Sequence, residues 1–341
     1  MVKRILVLLL VVVLVLAGLL ATRIVLAEIR PYKGYAGMEQ FVEIPRGSGP
    51  ASIGRRLVDA GILRDTIGFR FEVSRTRAGR RLQAGEYRFD RPMTVQEVVA
   101  KIARGDVYLL PITFPEGLTV REMAQLFESK GFGPAADFTA AATSDAGLVR
   151  AMDPAARDLE GYLFPDTYTT ARHTTAAELV PRMVAGFEKA FTAELRSAAD
   201  ARGLSVREFV TLASIVEKET AKEEERPLVA AVYSNRLKIG MPLQCDPTII
   251  YALQRANRYN GNLTKENMQV DSPYNTYRYA GLPPGPIANP GRASLDATAH
   301  PADVPYLYFV SRGDGSHAFA ATLEEHNRNV YEFQKRPGLR R

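Results

Sequence analysis

The sequence predicts an α+β protein in three parts: an N-terminal single transmembrane helix, small α/β modules, and a larger mixed α/β domain. Three observations carry this. An unbroken apolar run opens the chain. A strand–turn–helix pattern recurs 70 positions apart. Beyond residue 150 the texture shifts to long apolar helices joined by aromatic loops rich in Gly and Pro. With 341 residues, 46% of them hydrophobic, the chain can bury two or three cores.

Residues 5–21 are seventeen apolar residues, I-L-V-L-L-L-V-V-V-L-V-L-A-G-L-L-A. That is the lower limit for a membrane span and longer than a usual signal-peptide core. Residues 1–4 are expected as a cytoplasmic tail and 5–27 as the span with the start of a connector. Lys3 and Arg4 before the run favour export of everything after it, although Arg23, Arg30 and Lys33 weaken that orientation signal. No cysteine stands directly after the run, which excludes lipoprotein processing. A cleaved signal peptide is the alternative.

Net charge is +6 and the pI is near 9.3. This balance fits nucleic acid, an anionic membrane surface or an anionic polymer, without choosing among them. Residues 30–106 hold 15 Lys/Arg against nine Asp/Glu, next to the apolar run. Anionic headgroups would attract them, and a merely solvated basic surface explains them as well. The single cysteine, Cys245, excludes an intrachain disulfide. With four scattered histidines it argues against a Cys/His zinc site, and no cofactor is expected. His317 and His326 fit surface partners better than a metal.

F-V-E-I-P-R-G, residues 41–47, reads as a strand and turn. Residues 52–61 follow at helical spacing, with Ile53, Leu57 and Ala60 on one face. P-I-T-F-P-E-G, residues 111–117, and a helix over 121–131 repeat the unit. At the offset of 70, Pro45 matches Pro115, Gly47 matches Gly117 and Gly61 matches Gly131. The expected divisions are 38–110, the membrane-proximal module, and 111–150, the second copy. Residues 94–105 form another amphipathic helix, stopped at Gly105.

The remaining domain, 151–338, starts with the loop D-L-E-G-Y-L-F-P-D-T-Y, residues 158–168. A helix over 175–201 follows. The next helix, 205–220, opens with a capping box, Ser205 and Glu208. Pro227 begins another. Residues 271–292 are irregular and rich in Tyr, Pro and Gly, a long loop that is uncommon unless it works. Residues 304–310 read as a strand, followed by a hairpin and a helix from about 322.

Glu217 lies in A-S-I-V-E-K-E-T, residues 213–220. On a helix it stacks over Ala213 and Val210, at the edge of an apolar face, with Ser214 and Lys218 pointing away. Glu219 takes the opposite edge. An apolar wall raises a carboxyl pKa and suits a general acid. A rim glutamate paired with Arg226 or Arg236 fits the same periodicity.

A-S-I-V-E-K-E-T and the run from E-R-P-L-V-A-A-V-Y-S-N-R-L to L-Q-C-D-P-T-I-I-Y resemble the endolytic murein transglycosylase family, also called YceG-like. So do E-G-Y-L-F-P-D-T-Y, Y-N-T-Y-R-Y-A-G-L-P-P-G-P-I-A-N-P-G and H-P-A-D-V-P-Y-L-Y-F-V. The similarity runs through nearly the whole chain. It implies a YceG-like catalytic domain over 151–338 behind small modules related to LysM glycan-binding units. It also implies a single-pass inner-membrane protein with its body on the periplasmic side. The implied substrate is the peptidoglycan glycan strand, with peptidoglycan synthases as candidate partners. The implied catalytic residue is Glu217, acting as acid and then base on the MurNAc–GlcNAc β-1,4 bond and leaving 1,6-anhydro ends. Cys245 stands where the family often has Ser or Thr.

Glu160, Gln244, Asp246, Tyr274, Asn275, Thr276 and Tyr277 are the expected substrate-binding residues, since tyrosine faces stack on sugars and amides bond N-acetyl groups. Asp246 equally suits a cap for a helix starting at Pro247. Glu160 is either a second active-site carboxylate or a loop hydrogen-bonder. A hydrolytic muramidase using Asp246 or Glu160 as its second carboxylate, and a non-catalytic glycan-binding anchor, are the rival functions. A Cys245–His300 nucleophile lacks an adjacent base. The apparent export, and the lack of a concentrated Lys/Arg helix, disfavour nucleic acid.

Overall fold

The computed structural model describes residues 2–336, apart from the side chains at 2, 3, 7, 20 and 23–29. The expected boundaries at residues 1 and 338 lie outside it. Helix α1 runs Val2–Ile29, and its described large apolar side chains, Ile5, Leu6, Leu8 to Leu16 and Leu19, are exposed. Among the described residues no helix is long and apolar enough to cross a membrane. The expected transmembrane helix is therefore not borne out. The seventeen-residue run makes about 25 Å of helix against a hydrocarbon core of about 30 Å.

Two compact units follow from the contacts: the chain up to Pro111 with Thr169–His173, and Ile112–Tyr168 with the chain from Thr174 onward. In the first unit, β1 (Gln40–Ile44), α2 (Pro50–Asp59), α3 (Thr66–Arg75) and β2 (Gly85–Phe89) form a βααβ arrangement. β1 and β2 pair antiparallel, with Val42 opposite Tyr87. Alternation turns Val42, Ile44, Tyr87 and Phe89 into a core with Ile53, Leu57 and Phe69. Helix α4 (Val95–Arg104) has a Thr94–Glu97 capping box and stops at Gly105, as expected, with φ 68°.

β3 (Leu110–Thr113), α5 (Val120–Ser129), α6 (Ala135–Ser144) and β4 (Thr167–Thr170) repeat that order, and β3 pairs with β4. The matched glycines adopt matched backbones: φ is 79° at Gly47 and 76° at Gly117, and 72° at Gly61 and 78° at Gly131. The matched helix positions Ile53 and Met123, Gly54 and Ala124, and Leu57 and Phe127 are all buried.

The expected helix over 175–201 is two helices, α7 (Ala176–Ala190) and α8 (Ala193–Ala201). Phe191 leaves the helical conformation to stack on Phe187, and Thr192 caps α8 through Leu195 N–H. Next come α9 (Val206–Glu219), α10 (Arg226–Lys238), α11 (Asp246–Arg255), α12 (Arg292–Ala299), β5 (Tyr308–Ser311), β6 (His317–Ala320) and α13 (Leu323–Val330). The capping box at Ser205 and Glu208 is present. The strand expected at 304 begins at Tyr308, because the Val304 and Tyr306 carbonyls instead accept from the Asn235 amide.

Helix α9 departs from the amphipathic expectation. Every residue from Phe209 to Val216 is buried, Ser214 included. Ser214 does not point to solvent: its hydroxyl donates to Thr211 O and accepts from Ile287 N. The helix runs through the core of the second unit. Burying its large apolar side chains contributes about 2 kcal/mol each, enough to fix the charged last turn in place.

Candidate active site

Glu217 sits on the last turn of α9, and its side chain is 5% exposed. Oε1 accepts from Arg226 Nη2 at 3.2 Å, and Oε2 accepts from Gly291 N at 2.9 Å. Arg226 is the first residue of α10, and Gly291 is the N-cap of α12. Two helix N-termini, the positive ends of their dipoles, therefore converge on one carboxylate. The apolar wall expected around Glu217 exists on the α9 side only; the facing side is an ion pair and a backbone amide.

The turn after β3 supplies a second carboxylate. Glu116 Oε2 lies 3.7 Å from the same Arg226 Nη2. The two oxygens are thus at most about 7 Å apart, close enough for each charge to act on the other. Glu116 is half-exposed, and its pKa is raised by burial and then by the Glu217 charge, with Arg226 opposing. Lys218 Nζ donates to Gly117 O at 3.1 Å and holds the turn against α9. A Cβ on Gly117 would come 3.3 Å from Glu217 Cγ, and one on Gly291 would overlap the Glu116 carboxylate at 1.9 Å.

Asn289, fully buried, ties this turn down. Its Oδ1 accepts from Gly161 N and Leu163 N, both at 2.9 Å. Its Nδ2 donates to Leu118 O and to Glu160 Oε1, and its carbonyl accepts from Gly117 N. Glu160 is buried beneath the start of α5, accepting from Val120 N and Tyr251 OH. Burial outweighs those donors and pushes its pKa up to about 8. Both of its oxygens are thus engaged by groups of the protein, as a loop hydrogen-bonder's would be. Glu219 bonds Tyr233 OH, and burial raises its pKa against the Tyr233 and Cys245 bonds. The acids most affected by desolvation are thus Glu160 and Glu219.

The other expected site residues divide in two. Asn275 and Thr276 are buried and committed to the loop. Asn275 Nδ2 donates to Met268 O and Val270 O, and Thr276 Oγ1 accepts from Cys245 N. Neither leaves an open edge for a ligand. Tyr277 OH donates to Asp246 Oδ1 at 2.6 Å. Asp246 is the first residue of α11 and not its cap, since Cys245 holds the cap position and no side chain caps there. Gln244 is exposed beside them in a left-handed conformation, φ 52°. Tyr274 instead packs its ring on Tyr251. Cys245 sits at the N-terminus of α11, but burial pushes its thiol well up, and His300 faces Glu194. His317 pairs with Glu225 at 2.7 Å, and His326 stacks on Tyr308. Among the described residues no group of three or more His, Cys, Asp or Glu could hold a metal ion.

Sequence reasoning foresaw Arg226 only as a rim partner, and missed Glu116, Asn289 and Gly291. For Glu116 a signal existed: in the matched turns Pro-Arg-Gly becomes Pro-Glu-Gly, a charge reversal at Arg46 and Glu116 inside a conserved backbone. For Asn289 and Gly291 no local pattern marks the role.

The profile of the YceG-like family matches residues 42–332. The chain belongs to the YceG-like family. Its curated relatives include the endolytic murein transglycosylase of Bacillus subtilis (strain 168), 31% identical over 305 residues that cover 84% of this chain and 82% of that protein. The endolytic murein transglycosylase of Streptococcus pneumoniae (serotype 2, strain D39) is also 31% identical, over 92% of this chain and 62% of its own length. A crystal structure of a yceG-like protein from Listeria monocytogenes superposes with a TM-score of 0.58 at 32% identity, covering 86% of this chain and 99% of that one. The resemblance read from the motifs and the mixed α/β YceG-like fold are borne out. In this YceG-like chain, α9, α10, α12 and the turn after β3 bring Glu217, Arg226, Gly291 and Glu116 together.

Proposed function

We propose that this protein is an endolytic lytic transglycosylase that cuts the MurNAc–GlcNAc β-1,4 bond of peptidoglycan. The observation that carries it is Glu217, held at both oxygens on the end of a buried helix, in a family whose curated relatives are endolytic murein transglycosylases. Protonated Glu217 gives its proton to the bridging oxygen as the bond to muramic acid C1 breaks, and the GlcNAc 4-hydroxyl leaves. The C6 hydroxyl then attacks C1, closing a 1,6-anhydro ring, and its proton returns to Glu217. One carboxylate thus serves as acid and base. Glu116 adds negative charge near the oxocarbenium-like centre, and Arg226 keeps the two carboxylates from repelling each other. Gln244, Asp246 and Tyr277 form a polar edge for sugar hydroxyl and N-acetyl groups, while Asn275 and Thr276 position the loop.

Hydrolysis is the second reading, and the Glu116–Glu217 pair favours it: with two carboxylates this close, Glu116 would activate a water. Mass spectrometry of digested glycan strands decides. Anhydro ends from the parent, with a loss of about 10²–10⁴-fold in Glu217→Gln, support the transglycosylase. Reducing ends support hydrolysis through Glu116. Glycan binding without cleavage points to an anchor.

The membrane-proximal unit over 38–110 and the second strand–helix unit over 111–150 act in this reading as LysM-like glycan-binding modules before a catalytic domain over 151–338. Helix α1 fixes the chain to the inner membrane with the body on the periplasmic side; its exposed apolar side chains support this. The full chain should sediment with membranes and a chain lacking residues 1–27 should not. Peptidoglycan synthases that make the strands are the candidate partners.

A further inference from the structure

A recess of about 420 Å³ opens at the end of α9 away from Glu217. Arg207 on the first turn of α9, Arg255 on the last turn of α11 and Arg157 line it, with Tyr274 and Pro284 from the long loop. These cations are not equally engaged. Arg207 is paired with Asp153 at 2.8 Å and donates to Pro284 O at 3.1 Å, so it fixes the floor. Arg255 is half-exposed, and its nearest carboxylate oxygen, on Asp158, is 4.0 Å away. Its guanidinium lies 5.8 Å and 5.6 Å from the Tyr251 and Tyr274 ring centres, with Nη1 3.5 Å from both hydroxyls. Stacking of this kind preorganises the fork without using up its charge. Among the described residues Arg157 has no hydrogen-bond or ion-pair partner, and it is exposed.

Arg157, with no ion-pair partner, and Arg255, held only by a long 4.0 Å pair with Asp158, therefore face one recess walled by tyrosine and proline, which Asp158 also lines. A neutral sugar needs a stacking face but no cations. Guanidinium forks match carboxylates two bonds at a time, and the apolar wall suits small alkyl groups. The chemistry is that of a short peptide bearing carboxylates. The distance agrees. Ten residues of α9 separate Arg207 from Glu217, about 15 Å of helix, and an extended peptide covers that span in about four or five residues.

We propose that this recess binds the carboxylate-bearing peptide stem carried by the muramic acid of the glycan. The proposal rests on the reading of peptidoglycan as substrate and adds a peptide subsite to it. The test uses the full chain in detergent with Glu217→Gln, so that strands stay intact, and compares binding to stem-bearing strands with strands stripped of stems by an amidase. The expected result is at least tenfold tighter binding to stem-bearing strands, with that preference collapsing toward one in Arg255→Gln and, separately, in Arg157→Gln. Arg157 lies on the surface, so its replacement leaves the core intact. Equal binding to both strands, or both arginine variants keeping the preference, overturns the proposal. Cleavage is read separately on the protein with Glu217 intact. Cleavage without a stem preference removes the recess alone; a stem preference without cleavage removes the reaction and keeps the recess.

Discussion

In the first βααβ unit the turn after the strand reads Pro45-Arg46-Gly47; in the second it reads Pro115-Glu116-Gly117. The backbones agree within a few degrees at the glycine, and the same helix positions are buried. The surroundings differ. Gly47 has open space around it, whereas Gly117 abuts Glu217. The first turn leads into Pro50 at the start of α2, with no capping side chain. The second leads into a capped α5 whose first amide is bonded to a buried acid, Glu160. One scaffold thus carries two duties: the apolar positions that fold it are kept, and a few polar positions turn one copy into a wall of the acidic site.

The sharpest way to break this comparison is at the reversed charge. Glu116→Gln is expected to slow release of strand ends about 100-fold, near the lower bound for a participating carboxylate, while Arg46→Gln at the matched position leaves the rate unchanged. Gly291→Ala should reproduce the loss by displacing Glu116, and the double variant should be no worse than either single one, because both act on one contact. Equal rates for Glu116→Gln and the parent would reduce the charge reversal to a surface difference.

The next effect is on stability. Glu160 is protonated in the folded chain up to about pH 8, but only up to about 4.3 when unfolded. The folded state therefore binds more protons between those values, and stability falls as pH rises. The contribution is complete below the unfolded pKa and is lost on passing through the folded one. Unfolding free energies of the full chain from urea titrations should decline from pH 5 to pH 8, by at most about 1.4 kcal/mol per pH unit. Glu160→Gln should flatten that slope, and a slope unchanged by the variant would show that the proton is held elsewhere.

The smallest effect compares the glycines themselves. Gly47→Ala and Gly117→Ala both force a side chain into the left-handed region, costing about 1–2 kcal/mol each. Only the second should also slow cleavage, since its Cβ would press on Glu217. Thermal melts and end-release rates on the same two proteins separate the effects.

Local rules made much of this molecule legible in advance. The capping boxes, the glycine stop at Gly105, the repeat at 70 positions and the place of Glu217 on its helix all depend on residues near one another in sequence. Motif similarity supplied the family. The failures have physical causes. Periodicity assigns the polar Ser214 to the wet face, yet its hydroxyl is satisfied inside the helix bundle. The helix over 175–201 broke where burying Phe191 outweighed helical continuity. The sequence offers Glu160 and Asp246 as second carboxylates, whereas the one that meets Arg226 beside Glu217 is Glu116.

By itself the sequence determined the elements, their caps and the chemistry of the residue types, because those follow from dihedral preferences and spacing along a few turns. Only the tertiary structure decided which charges meet. Glu116, Glu217, Arg226 and Gly291 come from four segments, and their contacts exist only once α9 is buried and Asn289 has tied three loops together. Which carboxylate acts, and beside what, is set by burial and distance, which no single segment encodes.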